Sequence, residues 1–193
     1  MARIPRTKQP RRRLPVVLAR DEVKALLNNV DNVKHKSILL TIYSGGLRVS
    51  EAANLTVTDI DSKRMLIRVN QGKGKKDRYT ILSNANLNNL RKYYKIYHPE
   101  KWLFYSYNIN TPISTRTIQH VFHKAKEKAG IKKDVTVHSL RHSFATHLIE
   151  SGVDIHHIQK FLGHSGIKTT TIYLHLTHTK YIDFHNILDF PDL

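Results

Sequence analysis

Residues 137–148, VHSLRHSFATHL, carry three histidines and an arginine on a segment whose apolar residues recur at helical spacing. At about 100° per residue, Val137, Leu140, Phe144 and Leu148 form one stripe, the face such a helix turns to a core. His138 and Arg141 fall together at the edge of that stripe. His142 lies within about 40° of His138, and His147 projects from nearly the opposite side. One helix therefore offers at most two of these histidines to one ligand, and the ligand is either a metal ion or a phosphate.

The pair His138 and His142 has the spacing of half a zinc site. It lacks the glutamate of H-E-x-x-H, and the permanently charged Arg141 stands between the two, where it repels a cation. An anion suits the cluster better: a guanidinium presents a planar fork to two phosphate oxygens, and an imidazole accepts or donates a proton near neutral pH. On this reading no metal site is expected, and His142 and His147 take structural or supporting roles. The absence of cysteine removes thiolate ligands and disulfides.

The rest of the chain favours the anion. Its 193 residues, 40% of them hydrophobic, suffice for one packed domain with or without an arm. Lys and Arg number 32 against 15 Asp and Glu, a formal charge of +17, which points to a polyanionic partner, foremost nucleic acid, with an acidic membrane surface as the rival. Apolar runs such as ILLTIY at 38–43 fall far short of the roughly 20 residues of a bilayer span, so no membrane insertion is expected. The apolar Leu14–Ala19 is shorter than the roughly 7 to 15 residues of a signal core, so a cytoplasmic, nucleoid-associated protein is expected.

Residues 1–15 carry Arg3, Arg6, Lys8, Arg11, Arg12 and Arg13 with no acid, spaced by Pro5, Pro10 and Pro15. This composition cannot bury a core, and it reads as a linker, a DNA-seeking arm or a solvated tail. From Arg20 the pattern turns helical, with Val23, Leu26, Leu27 and Val30 on one face. A second apolar run, 38–43, stops at Gly45-Gly46. RVSEAANL restarts a short helix. MLIRVN and DRYTIL, separated by QGKGKK, read as a β-hairpin with a basic tip. Helices are expected at about 86–97, 115–129, 137–151 and 155–162, with WLFYS as a candidate third strand and YIDFHNILDF as a C-terminal helix. The fold class is thus α+β, mainly α-helical, with a small antiparallel sheet.

Further stretches repeat the anion theme. GLRVSE at 46–51 sets Arg48 after a Gly-Gly turn at a helix start, where backbone N–H groups also favour anions. GKGKK presents Lys73, Lys75 and Lys76 on the hairpin loop. LGHSGIKTTTIYLHL at 162–176 adds His164 and Tyr173. Each alone is weak, since a tyrosine is usually core and a lysine-rich loop usually solvated.

Together and in order, these elements resemble the catalytic domain of the tyrosine recombinase (phage-type integrase) family, closest in style to its Xer-type branch, over about residues 14–178. The resemblance implies the DNA breaking-rejoining fold over residues 16–193 and a catalytic set of Arg48, Lys73, His138, Arg141, His164 and the nucleophile Tyr173. Lys75 and Lys76 share the loop with Lys73 and contend for its role. Glu51, one turn after Arg48, resembles the family's acidic position that orients the site; a helix-surface glutamate is the alternative. Lys75, Lys76, Arg11, Arg12 and Arg13 are expected to contact DNA.

The chemistry implied is a site-specific strand transfer through a covalent 3′-phosphotyrosine, with neither metal nor ATP and no cofactor. Arg48, Arg141 and His164 would hold the phosphate, His138 would accept a proton, and Lys73 would protonate the departing 5′ oxygen. Four copies are expected on two synapsed duplexes, exchanging C-terminal helices. The family's separate N-terminal DNA-binding domain is not recognisable here, so the chain reads as an excised catalytic domain or a single-domain relative. Competing readings are a non-catalytic DNA-binding regulator of the same fold, and nicking and closing like a type IB topoisomerase.

Overall fold

Helix α1 (Arg20–Asn28) opens on Asp21 and Glu22, acids that suit the positive end of a helix, and the Glu22 carboxylate accepts the Ala19 N–H at 2.7 Å. A computed structural model of the chain describes residues 14–70, 77–164 and 166–175. Asn32 caps α2 (Val33–Gly45) by accepting from His35 N–H at 3.0 Å. Ile38, Leu39 and Ile42 are buried along α2, which packs against α1, α3 (Val49–Ala53), α4 (Asn84–Tyr97), α5 (Thr115–Lys128) and α6 (Val137–Glu150). The remaining elements are β1 (Ile60–Asp61), β2 (Leu66–Val69), β3 (Arg78–Ile81), α7 (Ile155–Leu162) and the 3₁₀ turns Ile167–Thr169 and Thr171–His175.

The turn between α2 and α3 positions the first site residue. Gly46 has φ +60°, and a Cβ there would lie 2.3 Å from the Phe144 ring, so only glycine fits both the backbone and the space. The chain leaves α2 hard against α6 and delivers Arg48 to the start of α3.

The sheet is antiparallel in the order β1-β2-β3, with Ile67 opposite Thr80 and Val69 opposite Arg78. Period-two alternation turns Ile67, Val69, Thr80 and Arg78 inward and leaves Tyr79 exposed. Arg78 is therefore a cation on the core-facing side of β3. The expected hairpin is present, but WLFYS is not its third strand. Trp102 makes an isolated bridge to Thr56, and Tyr105 one to Pro112. The backbone of this segment is satisfied singly, by Leu103 N to Leu55 O at 2.8 Å and Ile113 N to Phe104 O at 2.9 Å, and the third strand is Ile60–Asp61.

Helix α6 is apolar or buried nearly all round: Leu140, Ser143, Phe144, Ala145 and Thr146 are all buried, as is His147. His147 turns away from the cluster, as the helical angle predicts, and its Nδ1 shares a 2.9 Å hydrogen bond with the Tyr43 hydroxyl. The main core runs through α1, α2, the sheet, α4, α5 and the start of α6. A second, smaller cluster gathers Phe144, Ala145, Ile158, Leu162 and Tyr173. The boundary between the two clusters is where the polar site forms. No described helix is long and apolar enough to cross a membrane. The basic arm, the hairpin tip and the expected C-terminal helix lie outside the described residues.

Candidate active site

Glu51 is the hub. Its Oε1 accepts from Arg48 Nη1 and Arg78 Nη1, each at 2.8 Å, while Oε2 accepts from Arg48 N–H at 2.7 Å and Arg78 Nη2 at 2.8 Å. Arg141 Nη1 stands 3.7 Å from Oε2. Burial alone would raise this carboxyl, but the hydrogen bonds and charge of Arg78, with those of Arg48, overcome it and hold Glu51 at about 2. Three guanidiniums around one carboxylate leave the locality positive. Arg48 keeps 40% of its side chain exposed, so its outer edge faces solvent.

Arg141 is 2% exposed. Its Nη1 donates to Gly46 O and its Nη2 to Leu162 O, both at 2.7 Å, so one side chain ties the α2–α3 turn to the end of α7. Burial, then the charge of Arg48, lowers it to about 10, and it remains a cation at neutral pH. Arg78 makes a parallel tie, its Nε donating to Phe161 O at 2.8 Å.

Arg141 Nη2 also approaches His164 Nε2 at 3.2 Å. A guanidinium has no acceptor, so Nε2 carries the lone pair and the ring proton sits on Nδ1, which donates to Thr170 Oγ1 at 2.9 Å. Burial and the surrounding arginines lower His164 to about 4, in agreement with a neutral ring.

Tyr173 is 2% exposed, and its ring lies parallel to that of His164, 9° apart in plane with centroids 6.5 Å apart. Its hydroxyl shares a 3.0 Å hydrogen bond with His142 Nδ1. Burial raises the phenol, and the charges of Arg141 and Arg48 oppose the rise. His142 is lowered to about 4 by burial, then by His138 and Arg141. His138, at the rim, packs edge-on against His142 with centroids 4.8 Å apart, and desolvation of its covered side, followed by Arg141 and Arg48, also lowers its pKa. Among the described residues no three His, Asp or Glu side chains gather as a metal site.

The phage integrase family model matches residues 16–180. The chain belongs to the phage integrase family. It is 45% identical over 177 residues to a putative integrase/recombinase, y4qK, of Sinorhizobium fredii, covering 92% of this chain and 57% of that relative. It is 41% identical over 172 residues to the tyrosine recombinase XerA of Pyrococcus horikoshii, covering 88% and 59% respectively. Among solved structures, a XerA recombinase superposes with a TM-score of 0.79 at 36% identity, over 90% of this chain and 63% of that one. A XerH site-specific recombinase bound to palindromic difH substrate in a post-cleavage complex shares the fold, with a TM-score of 0.77 at 23% identity, over 91% and 54%. The chain thus spans between 54% and 63% of the length of each of these proteins.

In this integrase-family chain, the sequence-read residues Arg48, Glu51, Arg141, His164 and Tyr173 come together in one place, with His138 at its rim. Glu51 is no surface glutamate: its side chain is 10% exposed and shared between arginines. Lys73, Lys75, Lys76, Arg11, Arg12 and Arg13 lie outside the described residues. Two site residues escaped sequence reasoning. Arg78 was visible only through strand alternation, which puts it on the face of Thr80. His142, read from the sequence as structural or supporting, is brought against the tyrosine hydroxyl by the turn at Thr171–His175, which folds Tyr173 back over α6 onto its ring.

Proposed function

We propose that this protein is a site-specific DNA recombinase that cleaves and rejoins strands through a covalent 3′-phosphotyrosine on Tyr173, without metal or nucleotide cofactor. The observation that carries the reading is the placement of one tyrosine hydroxyl within the field of the buried Arg141 and the partly exposed Arg48. Arg48 and Arg141 oppose the rise that burial imposes on its pKa. A phenol of ordinary pKa near 10 attacks phosphorus only where its developing anion and the added charge on the phosphate are stabilised, and fixed guanidiniums in a dry site do both.

In the reaction Tyr173 Oη bonds to phosphorus and the P–O5′ bond breaks. Arg48 and Arg141 hold the nonbridging oxygens, and Lys73, or Lys75 or Lys76 on the same loop, protonates the departing 5′ oxygen. Rejoining is the reverse on another strand, so bond energy is conserved and no ATP is needed. His164, neutral and bonded to Arg141, sets the plane of that guanidinium.

The charge of +17 supports double-stranded DNA as the partner, with Lys75, Lys76 and the arm arginines Arg11, Arg12 and Arg13 as backbone contacts. On this reading residues 16–193 form the catalytic domain and 1–15 an arm. The apolar segment after about residue 181 docks on a neighbouring copy in a tetramer on synapsed DNA, in the cytoplasm at the nucleoid. The test is incubation with a nicked suicide duplex in EDTA. An SDS-resistant adduct given by wild type and lost in Tyr173→Phe is the expected outcome; an adduct that survives the substitution contradicts the reading.

A further inference from the structure

We propose that His142 holds the Tyr173 hydroxyl for attack and takes its proton as the bond to phosphorus forms. The inference deepens the reading above and rests on Tyr173 being the nucleophile.

Geometry distinguishes the three histidines. His142 Nδ1 lies 3.0 Å from Tyr173 Oη, the range a proton acceptor needs. His164 is committed on both nitrogens: Nε2 already accepts from Arg141, and Nδ1 donates to Thr170. His138, to which sequence reasoning assigned the proton, bears on the nucleophile through His142, whose ring it meets edge-on at 4.8 Å. The Tyr173 ring also contacts both rings, with centroids 5.6 Å from His142 and 6.5 Å from His164, which restricts where its hydroxyl can swing.

His142 also stays neutral in this setting. Burial, His138 and Arg141 disfavour the imidazolium, which keeps a lone pair available at neutral pH. A histidine this weakly basic does not remove the proton from a resting phenol. It takes it late, when Oη has begun to bond to phosphorus and the phenol has turned acidic. The step balances: Oη–P forms, P–O5′ breaks, the Oη proton passes to Nδ1, and the 5′ oxygen takes a proton from the hairpin lysine. Rejoining returns both protons.

The test measures adduct formation on a nicked suicide duplex in EDTA, from about pH 6 to about pH 10, for wild type, His142→Ala and His142→Gln, with and without added imidazole. Glutamine is close in size and still accepts the hydroxyl, which covers a failure of the alanine variant to fold. Wild type is expected to react at a rate nearly independent of pH above neutrality. Both variants are expected to fall by about 100-fold or more at pH 7 and to climb about tenfold per pH unit as free tyrosinate replaces the missing acceptor. Imidazole is expected to restore part of the rate of His142→Ala. Variants that match or exceed wild type, or that lose the same factor at every pH without rescue, overturn the inference: the hydrogen bond is then a lock or a packing contact. Those outcomes leave Tyr173 as nucleophile, whereas a wild-type protein that forms no adduct sinks that reading and this one with it.

Discussion

Arg78 on β3 and Glu51 on α3 meet through two parallel hydrogen bonds of 2.8 Å, and both side chains are at most 10% exposed. The pair fastens the sheet to the turn that carries Arg48, while Arg78 Nε holds the end of α7 through Phe161. Removing one partner from such a pair leaves a buried charge short of compensation. Arg78→Leu is expected to lose about 3 kcal/mol or more in urea unfolding and to weaken adduct formation further, because Glu51 then keeps only the hydrogen bonds of Arg48, with Arg141 3.7 Å away. Full stability in that variant contradicts the assignment.

The same carboxylate sets an acid limit. Glu51 sits at about 2 in the folded protein against 4.5 as a free side chain, so the unfolded chain binds the proton more readily. Its contribution, on the order of 3 kcal/mol, is fully present above about pH 4.5 and is lost as the pH falls toward 2. A second window lies above it. His142 and His164 are held neutral at about 4 against 6.5, so their neutral-form stability is present above pH 6.5 and declines as the pH falls toward 4. Denaturation midpoints across this range are expected to fall in both windows. Replacing both histidines by asparagine is expected to shrink the upper window, to which the buried sides of His138, His147 and His35 still contribute, and to leave the lower.

Gly46 is the point where backbone and packing demands coincide. With φ +60° and only 2.3 Å between an added Cβ and the Phe144 ring, Gly46→Ala is expected to cost more than about 2 kcal/mol. It is also expected to shift Gly46 O away from Arg141 Nη1 and so reduce adduct formation. Adding Phe144→Leu removes the overlap but not the positive φ, and recovers part of the loss. An alanine variant as stable as wild type contradicts this account of the turn.

Arg141 bridges Gly46 O, Leu162 O and His164 with one planar group. A lysine keeps the charge but cannot span the three, so Arg141→Lys is expected to reduce adduct formation by about 100-fold or more while still binding DNA. Near-wild-type rates in that variant show that only the local positive charge matters.

Much of this was legible in the chain itself. The stripe of Val137, Leu140 and Phe144 and the angular position of His147 follow from helical spacing, and Arg48 after Gly45-Gly46 follows from turn chemistry. The role of Arg78 was not legible beyond its strand face, because its acid partner lies 27 residues away and an arginine beside a lysine-rich tip reads as solvated. His142 was in view on the right face of α6, but the 3₁₀ turn that brings Tyr173 back onto it leaves no periodic signal. WLFYS has strand composition, yet its backbone partners are scattered loops, and a two-residue strand at Ile60–Asp61 is too short to announce itself.

The central claim is that Tyr173 becomes linked to a DNA 3′ phosphate. The most direct measurement traps the adduct on a suicide duplex, digests it with trypsin and nuclease, and maps the modified peptide by mass spectrometry. The account predicts a nucleotide on the peptide Thr169–Lys180, TTTIYLHLTHTK, at Tyr173 and through a 3′ phosphate. An adduct on any other residue, or one attached through the 5′ end, contradicts it.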